Sequence, residues 1–303
     1  MAHIYIFSPS SAVRDKAAFR RGVRRLQAMG HEVELDPAVL ASHMRFAGDD
    51  ATRMAAIGRA AASAADIALI SRGGYGLTRI LPGLPYKAMA RAIERGTHFV
   101  GLSDFTALNL SMLTRTGQIT WQGPALGEDF GPASAPDDIM QACFDDLLAG
   151  QGEGAGWQLP ATEAVIQTRV RDAVLWGGNL TVLCSMLGTP FFPAIDKGVL
   201  FLEDVGEHPY RIERMLTQLL HAGVLSRQKA LLLGQFTQFK PVPGHDKGFK
   251  LATVVEWLRR QIKVPVLTGL PFGHVPTKVL LPVGARVDLV TEGRDALMVW
   301  GHV

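Results

Sequence analysis

Short apolar runs alternate with amphipathic stretches of helical period through the first 120 or so residues, and this constrains the fold more than any other feature. His3 to Phe7 reads as a buried strand. The helix predicted over 14–29 places Ala17, Phe19, Val23, Leu26 and Met29 near helical spacing and stops at Gly30. A strand at His31 to Leu35, an alanine-rich helix over 50–65 and a strand at Asp66 to Ile70 follow. A helix over 86–95, a strand at His98 to Val100, a helix over 104–114 and the segment Gln118 to Trp121 continue the pattern. Such alternation predicts a mostly parallel sheet covered on both faces, with ligands at the C-terminal strand ends. The loops Ser8 to Ser11, Arg72 to Gly76 and Leu102 to Asp104 all follow strands and so can share that edge.

Residues 127–162 change character. Gly127 to Pro136 is turn-rich, a helix spans about 137–149, and Gly150 to Gly156 reads as a loose connection. The chain is long enough for two domains. The expected division is an N-terminal α/β domain over 1–130, a linker over 131–162 and a C-terminal domain over 163–303. In that second half, strands are predicted near Ala164 to Gln167, Arg171 to Leu175 and Gly198 to Leu202, the last ending in Glu203-Asp204. Others fall at Lys229 to Leu233 and Val264 to Leu267, and near Val279 to Leu281, Arg286 to Val290 and Ala296 to Trp300. Helices are predicted over 209–222 and 249–262.

The formal charge of +3 is too small to argue for a nucleic-acid partner. Arg20, Arg21, Arg24 and Arg25 cluster on one helix and read as a solvated face. Cys143 and Cys184 supply neither a disulfide framework nor metal-ligand spacing, and Cys184 reads as a buried structural thiol. No histidine pair has ligand spacing, so no metal and no cofactor are expected. The absence of a signal-peptide pattern and of an apolar run of about 18 residues points to a cytoplasmic protein that enters no membrane.

Three features could carry chemistry. His98 to Leu108 reads as a strand, a sharp turn with Ser103 at its tip, and a helix, which is the plan of a nucleophile elbow. Phe105 stands where G-x-S-x-G has its second glycine, and a serine before a helix is also a common N-cap. Arg72-Gly73-Gly74-Tyr75-Gly76 matches no nucleotide-binding pattern; it is either a tight turn or a loop that aims N–H groups at an anion. Glu203 and His274 lie at strand ends, where each could equally be structural. Together, Ser103, Glu203 and His274 form a nucleophile, acid and base in the chain order of α/β-hydrolases. The N–H groups of Gly74 and Asp104 could serve an oxyanion hole. The acid and base come from the other half of the chain from the serine, so such a site would lie between domains.

Six blocks decide between these readings. Ser71 to Gly76, Gly101 to Leu108, Trp121 to Pro124, Leu175 to Leu180, Leu202 to Arg211 and Gly269 to His274 resemble, in order, the LD-carboxypeptidases that trim murein tetrapeptides. The resemblance implies a flavodoxin-like or amidotransferase-like parallel-sheet domain and a smaller β-rich α/β domain. It implies a Ser103, Glu203 and His274 triad, with Glu207 as the nearest competitor for the acid. It further implies a cytoplasmic homodimer acting in peptidoglycan recycling on a small peptide, L-Ala-D-Glu-meso-diaminopimelate-D-Ala, free or carrier-linked. Arg72 is a candidate by position for holding the D-Ala carboxylate. Asp104 or Thr106 would start the helix behind Ser103. Similar motifs occur in peptidases that confer self-immunity to microcin by cleaving aminoacyl nucleotides, which is the alternative.

Overall fold

The computed structural model describes residues 1–161 and 166–303. The chain forms two compact units. The first comprises Met1–Gly152, Gly188–Pro193 and Pro276–Gly284; the second comprises Glu153–Leu187, Ala194–Val275 and Ala285–Val303.

The first unit runs β1 (His3–Phe7), α1 (Lys16–Ala28), β2 (Glu32–Leu35), α2 (Asp50–Ala62), β3 (Ile67–Ile70), α3 (Tyr86–Glu94), β4 (His98–Gly101), α4 (Thr106–Thr116), β5 (Thr120–Gln122) and α5 (Asp138–Ala149). Helix starts are fixed by side-chain caps where the sequence supplies them: Asp15 accepts from the N–H groups of Ala17 and Ala18, Asp49 from that of Thr52, and Asp137 from those of Ile139 and Met140. Glycines at Gly117 and Gly150 take the left-handed conformation that ends α4 and α5. The strands pair in the order β2-β1-β3-β4-β5, all parallel. This is the flavodoxin-like order, with its topological switch between β1 and β3. β3 is buried at every position, as a strand with both faces covered requires.

A return segment completes this sheet. Leu281–Val283 lies antiparallel beside β5, pairing Leu281 with Gln122 and Val283 with Thr120. It belongs to the first unit, although it falls inside the stretch expected to form the C-terminal domain. Long-range pairing decides this, and no local pattern reports it. Thr277 donates to Asp137, and the Lys278 ammonium bonds Asp129 in a pair only 2% and 4% exposed. Lys278→Ala leaves that carboxylate buried without its cation. The expected cost is about 3–5 kcal/mol of stability, read by urea unfolding.

The second unit runs β6 (Gly154–Gln158), β7 (Arg169–Asn179), α6 (Leu180–Met186), β8 (Val199–Val205), α7 (Pro209–His221), β9 (Ala230–Thr237), α8 (Leu251–Gln261) and β10 (Val266–Leu267); with the return strand as β11, β12 (Arg286–Glu292) and β13 (Asp295–Val299) follow. The strand order is β10-β9-β8-β7-β12-β13-β6. β7 to β10 are parallel, while β12, β13 and β6 are antiparallel, so long β7 joins the two parts.

Several expectations change. Residues 154–158, read as part of a loose connection, form edge strand β6, with Ala155 and Trp157 facing inward and their neighbours outward. The glycine is required there: a Cβ on Gly154 would stand 2.6 Å from the carbonyl oxygen of Met298. Glu203 and Asp204 lie within β8 rather than at its end. Two of the clustered arginines are not a solvated face. Arg21 donates to the carbonyl of Gly131, and Arg25 to those of Phe130, Pro132, Ala133 and Ser134, so a turn-rich loop lacking regular pairing is satisfied by guanidinium groups. Of the strand expected at Ala164 to Gln167, the first two positions lie outside the described residues, and Ile166 and Gln167 precede β7 without joining it. Burial pushes the Cys184 thiol up to about 12, consistent with an inert core cysteine. Among the described residues, no helix is long and apolar enough to cross a membrane.

Candidate active site

The first unit supplies the turn after β4. Leu102 is extended, and Ser103 follows in the left-handed region at φ +66°, opening a single 3-10 turn that runs into α4. A non-glycine residue held there costs on the order of 1–3 kcal/mol and persists only where its surroundings fix it. This strained strand-to-helix turn is the geometry of a nucleophile elbow. The departure from G-x-S-x-G also has a physical reason. The Phe105 ring is fully buried over Gly101, where an added Cβ would come within 2.5 Å of its Cγ. The first glycine thus makes room for the aromatic ring that replaces the second.

The glycine loop packs directly on this turn. A Cβ on Gly73 would lie 2.7 Å from Cβ of Ser103, and Gly74 takes φ +93° with a Cβ position 2.4 Å from Oγ of Ser11. Close approach, rather than turn formation alone, explains the glycines. Gly73→Ala is therefore expected to displace the Ser103 turn and cost about 1–3 kcal/mol, with activity falling more than stability; paired thermal unfolding and turnover measurements check this. Arg72 is half-buried, and its Nη1 donates to the carbonyl of Ala12 at 3.3 Å.

Asp104 is where the three strand-end loops meet. Its Oδ2 accepts from Oγ of Ser10 at 2.7 Å and from the N–H of Leu77 at 2.8 Å, joining the loops after β1, β3 and β4. Neither Asp104 nor Thr106 caps the helix behind Ser103, as had been expected: the start of α4 has no side-chain cap. Thr106 instead accepts from Gln122, which also donates to Asn109, so buried amides tie the first turns of α4 to β5.

Burial pushes the Asp104 carboxyl up to about 6, against the pull of its hydrogen bonds and of Arg53. Between about pH 4 and 6 the folded protein keeps a proton that the unfolded chain releases, so this group's contribution to stability falls as pH rises and levels off above 6. The shift corresponds to roughly 3 kcal/mol. Wild type is expected to lose about that much stability relative to Asp104→Asn between pH 4 and 7, measured by urea unfolding at each pH.

The second unit supplies an acid–imidazole pair. β7 places Asn179 beside Glu203 of β8, in register across the parallel pair. Glu203 is 0% exposed; its Oε1 accepts from Nδ2 of Asn179 at 3.1 Å, and its Oε2 lies 2.7 Å from Nδ1 of His274. A carboxylate only accepts, so Nδ1 carries the proton and the basic lone pair falls on Nε2. Gly273 permits the approach, since its Cβ position would be 3.3 Å from Oε2 of Glu203 and 2.9 Å from the Gln235 carbonyl oxygen. Glu207 is the competitor that does not take this place; its carboxylate faces Arg211 at 3.7 Å.

Asp204 follows Glu203 at an irregularity in the β8–β9 register. It accepts from Asn179, from both the N–H and hydroxyl of Thr181, and from the N–H of Val205, while burial raises its carboxyl above the usual range. Asn179 therefore binds both carboxylates and also caps α6 through Val182. Sequence reasoning gave it no role. Its position after Gly177-Gly178, at a strand-to-helix junction, was the available signal.

Comparison with known proteins places this geometry in a family. Residues 4–123 match the LD-carboxypeptidase N-terminal domain and residues 172–289 the LD-carboxypeptidase C-terminal domain. The murein tetrapeptide carboxypeptidase of Pseudomonas aeruginosa is 31% identical over 295 residues, covering 94% of this chain and 92% of that protein. A crystal structure of muramoyltetrapeptide carboxypeptidase from Oxalobacter formigenes superposes with a TM-score of 0.87 at 36% identity, covering 99% of this chain and 98% of that one. The microcin C7 self-immunity protein of Escherichia coli is 26% identical over 249 residues, covering 74% of this chain and 70% of its own length. The chain belongs to the LD-carboxypeptidase family of serine-type hydrolases.

Proposed function

We propose that this protein is a muramoyltetrapeptide LD-carboxypeptidase that releases the terminal D-Ala from murein tetrapeptides during peptidoglycan recycling. The observation that carries the chemistry is the buried Glu203–His274 bond, which sets the imidazole tautomer a general base needs. The relatives named for tetrapeptide cleavage support the substrate.

Ser103 attacks the carbonyl carbon between the L-centre of diaminopimelate and D-Ala, and His274 takes its proton. Glu203 orients the ring and stabilises the imidazolium. The N–H groups of Gly74 and Asp104 hold the developing oxyanion, a contribution of about 2.7–4 kcal/mol in such sites. His274 then protonates the D-Ala nitrogen as the C–N bond breaks. Water, deprotonated by His274, cleaves the acyl ester and restores Ser103. In this reading the first unit provides the nucleophile and the second the acid and base. Arg72 holds the D-Ala carboxylate, and the enzyme works as a cytoplasmic homodimer.

The test offers the purified protein a murein tetrapeptide and an aminoacyl nucleotide side by side. Release of D-Ala with the nucleotide left intact supports the proposal. Cleavage of the nucleotide alone supports the self-immunity chemistry instead.

A further inference from the structure

The segment 238–250 leaves β9 and returns to α8 at the strand edge that bears Glu203, and nothing in the triad uses it. Its start is fixed beside the acid–imidazole pair: Phe236 and Thr237 pair with Asp204 and Val205, and Oγ1 of Thr237 lies 3.5 Å from the carbonyl oxygen of His274. Lys240 follows three residues later, within about 10 Å of chain reach. Its middle is fixed by Asp246, whose Oδ2 lies 3.0 Å from Nε2 of His208, five positions beyond Glu203. That pair is nearly buried, at 13% and 11% exposure.

The segment's one carboxylate is held at His208, while Lys240, Lys247 and Lys250 stay exposed. Among the described residues none of the three lysines enters an ion pair, and with three ammonium groups against one carboxylate the segment presents net positive charge on a pinned scaffold. We propose that 238–250 is a subsite for the anionic groups of the substrate remote from the scissile bond, with Lys240 and Lys247 as its specificity-determining residues. The shared chemistry is a carboxylate or phosphate oxygen, from the peptide's own side-chain carboxylates or from the diphosphate of a nucleotide-linked carrier. The proposal rests on the tetrapeptidase reading above.

The test compares wild type with Lys240→Glu/Lys247→Glu on free tetrapeptide and on uridine-diphosphate-linked muramoyl tetrapeptide. KM is expected to rise about tenfold for at least one substrate while kcat holds within about twofold, and added salt should raise KM for wild type but not for the variant. An effect confined to the nucleotide-linked substrate assigns the anion to the diphosphate; an effect on both assigns it to the peptide. Equilibrium binding of the same two ligands, with the Ser103→Ala background in both proteins, reads the subsite without turnover, so a failure of the tetrapeptidase reading shows separately as ligand that this background binds and wild type does not convert to D-Ala. Equal KM and equal binding in the two proteins, or no binding of either ligand, overturns the inference.

Discussion

Ser103→Ala is expected to lower D-Ala release from a murein tetrapeptide by about 10⁴- to 10⁶-fold in kcat, the loss typical of removing the nucleophile from a Ser–His–acid site. The fold should barely notice. The turn at Ser103 has no side-chain cap, so deleting its oxygen removes no helix-start bond. Alanine inherits the same left-handed backbone, and its strain there matches that of serine to within a few tenths of a kcal/mol. Unfolding should shift by less than about 1 kcal/mol, whereas loss of a capping serine costs up to about 2. Turnover within tenfold of wild type would remove Ser103 from the mechanism. Large destabilisation with partial activity would return it to the role of a structural turn.

Glu203→Gln tests the other half of the chemistry by a different route. The carboxylate accepts two bonds, one from Asn179 and one from His274, and an amide has only one oxygen to offer. Keeping the Asn179 bond turns the amide NH2 toward Nδ1, which forces the proton to Nε2 and removes the base. The analogous acid-to-amide change in serine proteases costs about 10⁴ in kcat with the geometry intact. A similar fall is expected here, with KM nearly unchanged and stability within about 1–1.5 kcal/mol of wild type, because both hydrogen bonds survive with the charge removed. The parallel change Glu207→Gln should leave kcat close to wild type, because that carboxylate faces Arg211 rather than the imidazole. Equal losses from the two variants would contradict the distinction drawn between them.

The first sheet was legible because its inner strands are covered on both faces and α1, α2 and α5 carry their own caps. Ile67 to Ile70 is apolar at every position, and Asp15, Asp49 and Asp137 each mark a helix start. What escaped the sequence is what depends on distant partners. Gly150 to Gly156 looks like a loose connection until β13 is set beside Gly154 to Gln158. The strand expected near Val279 to Leu281 reads as one more of the second half, yet it forms at Leu281 to Val283 and its pairing with β5 carries it into the first sheet.

The surroundings of the candidate site divide in the same way. The turn at Ser103 is local, so strand, tip and helix could be read in order, whereas its left-handed torsion and the Phe105 ring over Gly101 required coordinates. Asp104 looked like a helix-start residue because it is acidic and precedes a helix. Burial and two donors from other loops gave it a different partner set. Glu203 and Glu207 are equivalent by type and close in sequence. Glu203 lies within β8 beside Asn179 and against Gly273, whereas Glu207 lies beyond the strand's end and faces Arg211, and only the coordinates show which one meets His274.

The most direct measurement of the central claim is mass spectrometry of a muropeptide mixture after incubation with the wild-type protein. Conversion of tetrapeptides to tripeptides with loss of one D-Ala, while pentapeptides keep their full length, is the predicted result. Tetrapeptides left intact, or D-Ala removed from pentapeptides instead, would contradict it.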